Sequence, residues 1–447
     1  NVDVMLGEPR RAVLSMFLPV FIALLIGQLN TFVDAAWCSG LGLDAMSAIT
    51  LCSSLYFMIV GIGNGIGIGA NVAISRRIGA GDKEGAERCA SQTIVTVILI
   101  SFPLIPIFYF SLGPLFTAMG GQDVMEECMS YATPMVLMCT FTMLSGVIAG
   151  VLRGEGAANL STAINVTSAV CNMLLDPLLI FVLGMGLTGA SCATVLSSLI
   201  AVMLAVFIYR SRRTYLSLRY SKPEKAILYD VFYVGLPQTA ELVVMGLMNL
   251  ILVSIVVYTG GTDGLAIYGI PWNFMTLAMV PVHALAAAMV PVCSSAIGQR
   301  DRDRLKSGYY FSTASAFTVA TVLALLIWVF ADSCMMVFTY TNDMGMYRDE
   351  MVHVVRIYVR FLAFYGMIFV GSSMLSCLRK SGWSLMSSFL RNVMLIGLYL
   401  LASGHGMEWI YWSLTIGEII GGAAMILLAQ IMFQRKYRDM GIVQKPA

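Results

Sequence analysis

Residues 78–82 read Ile78-Gly79-Ala80-Gly81-Asp82, and 219 residues further on the chain reads Ile297-Gly298-Gln299-Arg300-Asp301. Each stretch closes a long apolar run and opens a charged one. Gly42-x-Asp44 aligns with Gly261-x-Asp263 at the same spacing, and Leu18-Pro19 matches Leu236-Pro237 with one residue of slippage. Later, Leu152-Arg153-x-x-Gly156 matches Leu378-Arg379-x-x-Gly382. Punctuation repeated at half the chain length marks an internal duplication. The duplicated unit is apolar. Of 447 residues, 58% are hydrophobic and 12% charged, with a mean hydropathy of +0.82. A soluble domain carries about 25% charged residues, so this composition excludes a water-soluble fold and disorder alike. A net charge of +2 without a free basic stripe excludes a nucleic-acid binder.

A membrane helix needs about 20 apolar residues. That rule places twelve spans, at residues 12–38, 46–74, 92–117, 128–152, 160–183, 187–210, 228–258, 264–293, 308–338, 350–378, 384–403 and 408–433. Backbone groups in lipid must bond within their own segment, so the spans are helices. The loops alternate sharply in charge. One set holds Arg10, Arg11, Arg76, Arg77, Lys83, Arg88, Arg153, Arg210, Arg212, Arg213, Arg219, Lys222, Lys225, Arg300, Arg302, Arg304, Lys306, Arg379, Lys380, Arg435, Lys436, Arg438 and Lys445, with Arg391 a little inside the next helix. The other set holds only Arg348, Arg356 and Arg360. The positive-inside rule makes the first set and both termini cytoplasmic in a cell membrane. The expected domains are a six-helix bundle at 1–210, a charged linker at 211–227 and a second six-helix bundle at 228–447. Six is even, so both bundles have one orientation and are related by a pseudo-two-fold axis along the membrane normal, a transporter arrangement.

Ten scattered cysteines form no CxxC pair, which points to neither a zinc site nor a disulfide framework. The 31 methionines read as packing surface. No GxxxxGK[ST] motif occurs, so ATP is not the energy source within this chain. The glycines at 61, 63, 65, 67 and 69 lie inside an apolar helix and read as a close-packing face rather than a nucleotide loop. No nucleophile–base pair argues for an enzyme, and no cofactor is implied beyond a coupling ion.

Ionisable groups inside a membrane are costly and default to function. Four acids qualify: Asp34, Asp176, Glu241 and Glu418. Asn30 precedes Asp34 by one helical turn, and Asn172 precedes Asp176 likewise, so each acid has an amide on its own face. Pro177 cannot donate to the carbonyl of Met173, which leaves that oxygen for a cation or water. Two carboxylates facing one small cavity repel each other, so a bound proton relieves them. With amide and hydroxyl oxygens added, the same cavity suits Na⁺. Plainer alternatives are a pore-rim position for Asp34 and a helix end for Asp176. Glu241 and Glu418 read equally well as second titrating sites or as residues bonded to a neighbouring helix. His283 reads as a packed histidine. In the second half, Asn172 and Asp176 map at an offset of 226 onto Leu398 and Ala402, and Asp34 maps at 219 onto Val253. Only the first half keeps paired acids.

The stretches Val33-Asp34 with Gly40-Leu41-Gly42, and Asn172-Met-Leu-Leu-Asp176-Pro177-Leu-Leu-Ile180 running on to Gly184-Met-Gly186 and Gly189-Ala190, resemble the multidrug and toxic compound extrusion (MATE) family, in its DinF-type prokaryotic branch. The resemblance covers essentially the whole chain. It implies an all-α V-shaped pair of six-helix bundles with a central cavity. It also implies antiport of small organic, often cationic or amphipathic compounds against H⁺ or Na⁺ by a monomer. The family's first-half cation site matches Asp34, Asn172, Asp176 and Thr194 here, which would also be the Na⁺ ligands. The family's helix-1 proline, implicated in bending when that site is protonated, matches Pro19. Glu241 keeps the acid found four residues after the proline of the seventh span. The tenth span departs from other branches: it has no mid-span acid, only Asp349 and Glu350 at its outer end.

Two rivals stand beside antiport. A lipid or lipid-linked oligosaccharide flippase of the same superfamily often lines its cavity with basic residues, and this chain shows essentially no Lys or Arg at mid-membrane. A channel would pass uncoupled current, which paired acids buried in one half do not predict.

Overall fold

The computed structural model describes residues 2–118, 122–219, 221–336, 339 and 345–443. Lys445, residue 220 of the linker and residues 337–338 at the end of the ninth expected span lie outside them. The regular structure among the described residues is helical, without a strand. The helices are α1 (Pro9–Ser39), α2 (Leu43–Gly79), α3 (Lys83–Ala118), α4 (Met125–Leu137), α5 (Cys139–Gly154), α6 (Ala158–Pro177) and α7 (Gly186–Arg210). They continue as α8 (Lys225–Ala278), α9 (Val280–Gln299), α10 (Arg302–Val329), α11 (Arg348–Tyr358), α12 (Leu362–Cys377), α13 (Ser381–Ser403) and α14 (Met407–Val443). Short helices cover Val2–Leu6 and Ala331–Met336. Ten helical stretches are long and apolar enough to cross a membrane, and two bent pairs bring the number to twelve. The chain is a multi-pass membrane protein.

Two expected spans are broken. The fourth bends by 54° between α4 and α5, and the tenth by 51° between α11 and α12. Pro134 in the last turn of α4 explains the first bend, since it withholds a backbone N–H. The second has no proline, and its connection holds through Phe361 N–H to the Tyr358 carbonyl at 3.0 Å.

The repeat appears as matched turns. Gly42 and Gly261 both have positive φ, +104° and +64°, and the second breaks the helical trace of α8. Gly81 (φ +79°) and Arg300 (φ +56°) each end a helix in the left-handed region. Both turns close alike: Asp82 N–H bonds the Arg77 carbonyl at 2.9 Å, and Asp301 N–H the Ala296 carbonyl at 3.1 Å. This is a Schellman cap, whose left-handed position is usually glycine and is filled here by Gly81 in one half and Arg300 in the other. A third such pair is Gly156 (φ +78°) and Arg379 (φ +57°), 223 residues apart. The structure therefore corrects the later alignment by three residues. Gly156 corresponds to Arg379 rather than Gly382, and Asp176 to Tyr399 rather than Ala402.

Packing divides the chain into two compact units. The first comprises residues 1–8, 18–243 and 294–301; the second comprises 9–17, 244–293 and 302–447. In the first unit the glycine run of α2 forms two packing faces. Gly61, Gly65 and Gly69 face Leu242, Thr239 and Val231 of α8, while Gly63 and Gly67 face Met143 and Gly146 of α5. A Cβ at Gly63 or Gly67 would stand 2.7 Å from the opposing carbonyl oxygen, so only glycine permits this approach. The same unit contains a reciprocal contact between the repeats. Gly79 lies against the Ser295 carbonyl, and Gly298 against the Arg76 carbonyl. The 219-residue offset carries one contact onto the other.

The described linker residues are fastened to the first unit. Leu216 N–H donates to Glu155 Oε2 at 3.0 Å, and Ser217 gives its N–H and hydroxyl to Glu87 at 3.1 and 2.8 Å. Gln92 bonds the Lys222 carbonyl and the Glu224 N–H at 2.8 and 3.0 Å. Lys83 sits 4.5 Å over the Tyr215 ring.

Candidate functional site

The site is built on two helices of the first unit. On α1, Asn30, Asp34 and Cys38 follow one another at four-residue spacing and share a face. On α6, Asn172 and Asp176 do the same and are 4% and 0% exposed. Asn30 Nδ2 donates to Asn172 Oδ1 at 2.9 Å, and Asn172 Nδ2 donates to Asp176 Oδ1 at 3.1 Å. Asp34 and Asp176 lie within electrostatic reach of each other. Of the expected quartet, Asn172 and Asp176 are bonded to each other and, through the secondary candidate Asn30, to the helix that carries Asp34, whereas no bond joins Thr194 to them among the described residues. Asp34 is half-buried and lies inside α1, five residues before its end.

Pro177 does not stop α6. The chain continues through a wide π-helical turn, Leu178–Val182, which closes with Leu183 N–H on the Leu178 carbonyl at 2.9 Å. Asp176 is therefore interior to a helix, beside a local widening of the kind that recurs at functional sites. A second bond ties the same helices together. Thr162 Oγ1 on α6 donates to the Pro19 carbonyl on α1 at 2.7 Å. The two ties, at Pro19 and Asn30, lie about 16 Å apart along α1 at 1.5 Å per residue. Pro19 also leaves the carbonyl of Ser15 without its helical donor. Helix α1 is pinned to α6 at Pro19 and Asn30, and its weakened backbone step, Ser15 to Pro19, lies just before the first of these ties.

Chemically, the cluster is an acid pair with acceptors to spare. Two carboxyl groups within electrostatic reach of each other need a proton or a cation between them. Asp176 Oδ2 and Asn30 Oδ1 are buried without a partner, so two oxygens remain for an ion. Cys38 Sγ lies 3.8 Å from Asp34 Oδ1 as a weak donor. Tyr56 on α2 and Tyr131 on α4 lie within electrostatic reach of Asp34. Sequence reading passed over all three. Cys38 was legible as the next turn after Asp34, whereas the tyrosines arrive from other helices and left no local signal. Among the described residues no group of three or more His, Cys, Asp and Glu could hold a metal ion.

The other candidates stand apart or are already bonded. Thr194 is half-buried on α7 and donates to its own helix, to the Ala190 carbonyl at 3.2 Å. Glu241 is 6% exposed and accepts from Gln238 one turn before it, at 3.2 Å. Helix α8 through Val243 packs in the first unit, so Glu241 belongs there although it follows the linker. Glu418 is ion-paired with Arg391 at 3.1 Å, both buried. Arg391, expected a little inside its helix, lies mid-way along α13, which corrects the expectation of essentially no Lys or Arg at mid-span, and its charge is tolerated there because Glu418 balances it. His283 stacks on Phe369, ring centroids 4.5 Å apart.

The MatE family model matches residues 19–178 and 237–401. The multidrug export protein MepA of Staphylococcus saprophyticus is 24% identical over 429 residues, covering 93% of this chain and 92% of that protein. MepA of Staphylococcus aureus is 24% identical over 436 residues, covering 95% and 94%. Among solved structures, that of a MATE protein in complex with MaL6 superposes with a TM-score of 0.93 at 26% identity, covering 98% of this chain and 99% of that one. A MOP superfamily transporter from Pyrococcus furiosus, whose binding pocket of reverse polarity is described as suggesting a different function, superposes with a TM-score of 0.91 at 26% identity, covering 97% and 98%.

Proposed function

We propose, from the premise that this chain belongs to the MatE family, that it is a secondary-active multidrug exporter. It moves small organic, often cationic or amphipathic compounds outward across the cell membrane in exchange for H⁺ or Na⁺. The observation that carries this reading is the amide relay Asn30–Asn172–Asp176, which joins α1 to α6 one turn from Asp34. The ion enters from outside and sits between the two carboxylates, with Asn172 and Thr194 as the further oxygen ligands for Na⁺. Its charge removes their repulsion. Helix α1 then repacks about Pro19, where its backbone ladder already lacks a bond, and substrate affinity falls on the outer side. The inward state reloads substrate and releases the ion to the cytoplasm. The repeats of this exporter are the bundles 1–210 and 228–447 joined by the linker 211–227, although residues 228–243 and 294–301 of the second repeat pack in the first unit; both termini are cytoplasmic and the chain works as a monomer. Each charge carried inward gains about 2.3 kcal/mol per 100 mV. That supports roughly a fiftyfold gradient of a neutral substrate per H⁺.

The test is efflux of a fluorescent organic cation from proteoliposomes, with ΔpH and ΔNa⁺ imposed separately, for wild type, Asp34→Asn and Asp176→Asn. Efflux driven by one gradient and lost in both variants supports the reading and names the ion. Efflux that survives in the variants overturns the site. No efflux under either gradient overturns antiport, and a headgroup-accessibility assay for lipid flipping follows.

A further inference from the structure

The second unit also buries a carboxylate, and it supplies that carboxylate's counter-charge itself. Arg391 Nη1 on α13 meets Glu418 Oε2 on α14 at 3.1 Å, with the side chains 5% and 4% exposed. The helices are shaped for this contact. Gly421, one turn from Glu418, receives the aliphatic stem of Arg391, and Gly417 receives Leu395 in the same way. The ridge Arg391–Leu395 thus lies in the groove Gly417–Gly421, and a Cβ at either glycine would displace it. The groups facing Glu418 are Arg391 and Tyr399 from α13, Tyr268 from α8 and Tyr365 from α12. Tyr268 and Tyr399 hydroxyls bond each other at 3.0 Å, and the buried hydroxyls of Tyr358 and Tyr411 and the Nε of Arg391 have no partner. The partner that Glu418 has among the described residues is the Arg391 guanidinium.

The contrast with the first unit is direct. Asp34 and Asp176 have amides, hydroxyls and a thiol around them, and no Lys or Arg contacts them among the described residues. A buried carboxylate needs a counter-charge or a proton. The first unit must take one from solution, whereas the second holds one on its own chain. We infer that Arg391 is a resident counter-ion, a specificity-determining residue that keeps the second unit from binding a coupling ion and so confines ion coupling to Asp34 and Asp176. This deepens the proposed function and rests on it. Its corollary is that Glu418 becomes a cation site only when Arg391 is removed.

The experiment uses the full chain carrying Asp34→Asn and Asp176→Asn, so the first unit is silent, and reads melting temperature against pH and against NaCl replaced by choline chloride. With Arg391 present, the melting temperature has no component that a further Glu418→Gln change removes. Arg391→Met is expected to create one: the melting temperature rises as pH falls or Na⁺ is added, with a slope of one ion bound per molecule. Adding Glu418→Gln abolishes that response. An Arg391→Met chain with no ion response, or a Glu418-dependent response with Arg391 intact, overturns the inference. Should Arg391→Met not fold, Glu418→Gln in the otherwise natural chain decides. The ions exchanged per substrate, read from the reversal potential in proteoliposomes, are expected to be unchanged, and a drop by one overturns the inference. Ion-driven efflux surviving Asp34→Asn and Asp176→Asn would instead refute the first-unit site, an outcome separable from either result at Arg391.

Discussion

Glu155 lies in the turn between α5 and α6, outside the spanning segments, and is fully buried. One oxygen accepts the Leu216 N–H of the linker at 3.0 Å, and the other has no partner. Burial pushes its carboxyl up from 4.5 to about 8, only partly offset by the Leu216 bond. The sign follows from proton linkage. The folded chain binds this proton more tightly than the unfolded chain. The associated stability is therefore complete below about pH 4.5 and is lost as pH rises through about 8. At 1.36 kcal/mol per pH unit, the interval amounts to about 5 kcal/mol when fully developed. Glu155→Gln keeps an oxygen for Leu216 and removes the titration. Its melting temperature in detergent should track wild type near pH 5 and pull ahead of it towards pH 9. A gap of roughly 5–10 °C follows if a chain of this size moves roughly 1–2 °C per kcal/mol, below the range for smaller domains. Parallel curves over that interval would refute the reasoning, because they would mean that water or a base reaches the buried oxygen.

Gly298→Val and Gly79→Val each drive a side chain into the backbone of the opposing repeat. Each should lower the melting temperature by the equivalent of about 1–3 kcal/mol or more. Gly382→Val, where nothing lies within 4 Å, serves as the control and should stay near wild type. Asn30→Ala removes the donor that orients Asn172 on Asp176, a net loss of about 1–1.5 kcal/mol. It should raise the half-saturating concentration of the coupling ion about tenfold. Ion titration of efflux checks this, and an unchanged midpoint would show that the amide bond is incidental to ion binding.

The twelve spans were legible because lipid imposes one requirement on every segment, a run of about 20 apolar residues bonded within itself. The bend at Met138 was half-visible in Pro134, but the bend after Tyr358 was not, because no residue there forbids a straight helix. The repeat was legible where side chains mark it, at Ile78-Gly79 and Ile297-Gly298. It slipped by three residues at Gly156 because the match was sought in glycines. The structure uses Arg379 there, a non-glycine residue in the left-handed conformation that a Schellman turn usually gives to glycine. Asp34 and Asp176 announced themselves as acids in apolar helices. Their bonding did not: the sequence places Asn30 one turn from Asp34, yet its amide reaches across to Asn172, 142 residues away. Arg391 and Glu418 were visible as charges, and their pairing depended on two glycines of α14 that carry no charge at all. Glu155 carries no signal in the sequence, because nothing local shows that residue 216 covers it.

The two halves therefore share their backbone devices and differ in their buried charges, for a physical reason. A left-handed turn such as Gly81 or Arg300 is set by steric limits on the main chain, and two different side chains satisfy it. A buried acid has no such latitude, since its charge must be balanced somewhere. The first unit leaves that balance open at Asp34 and Asp176, and the second closes it at Arg391. An exporter driven by an ion needs one bundle whose internal energy depends on the ion. If both bundles titrated, each would respond to the same gradient and the substrate stroke would need two binding events to complete. If, as proposed, only the open pair answers to the ion, the ion acts on the first unit alone, and Arg391→Met should make the second unit respond as well.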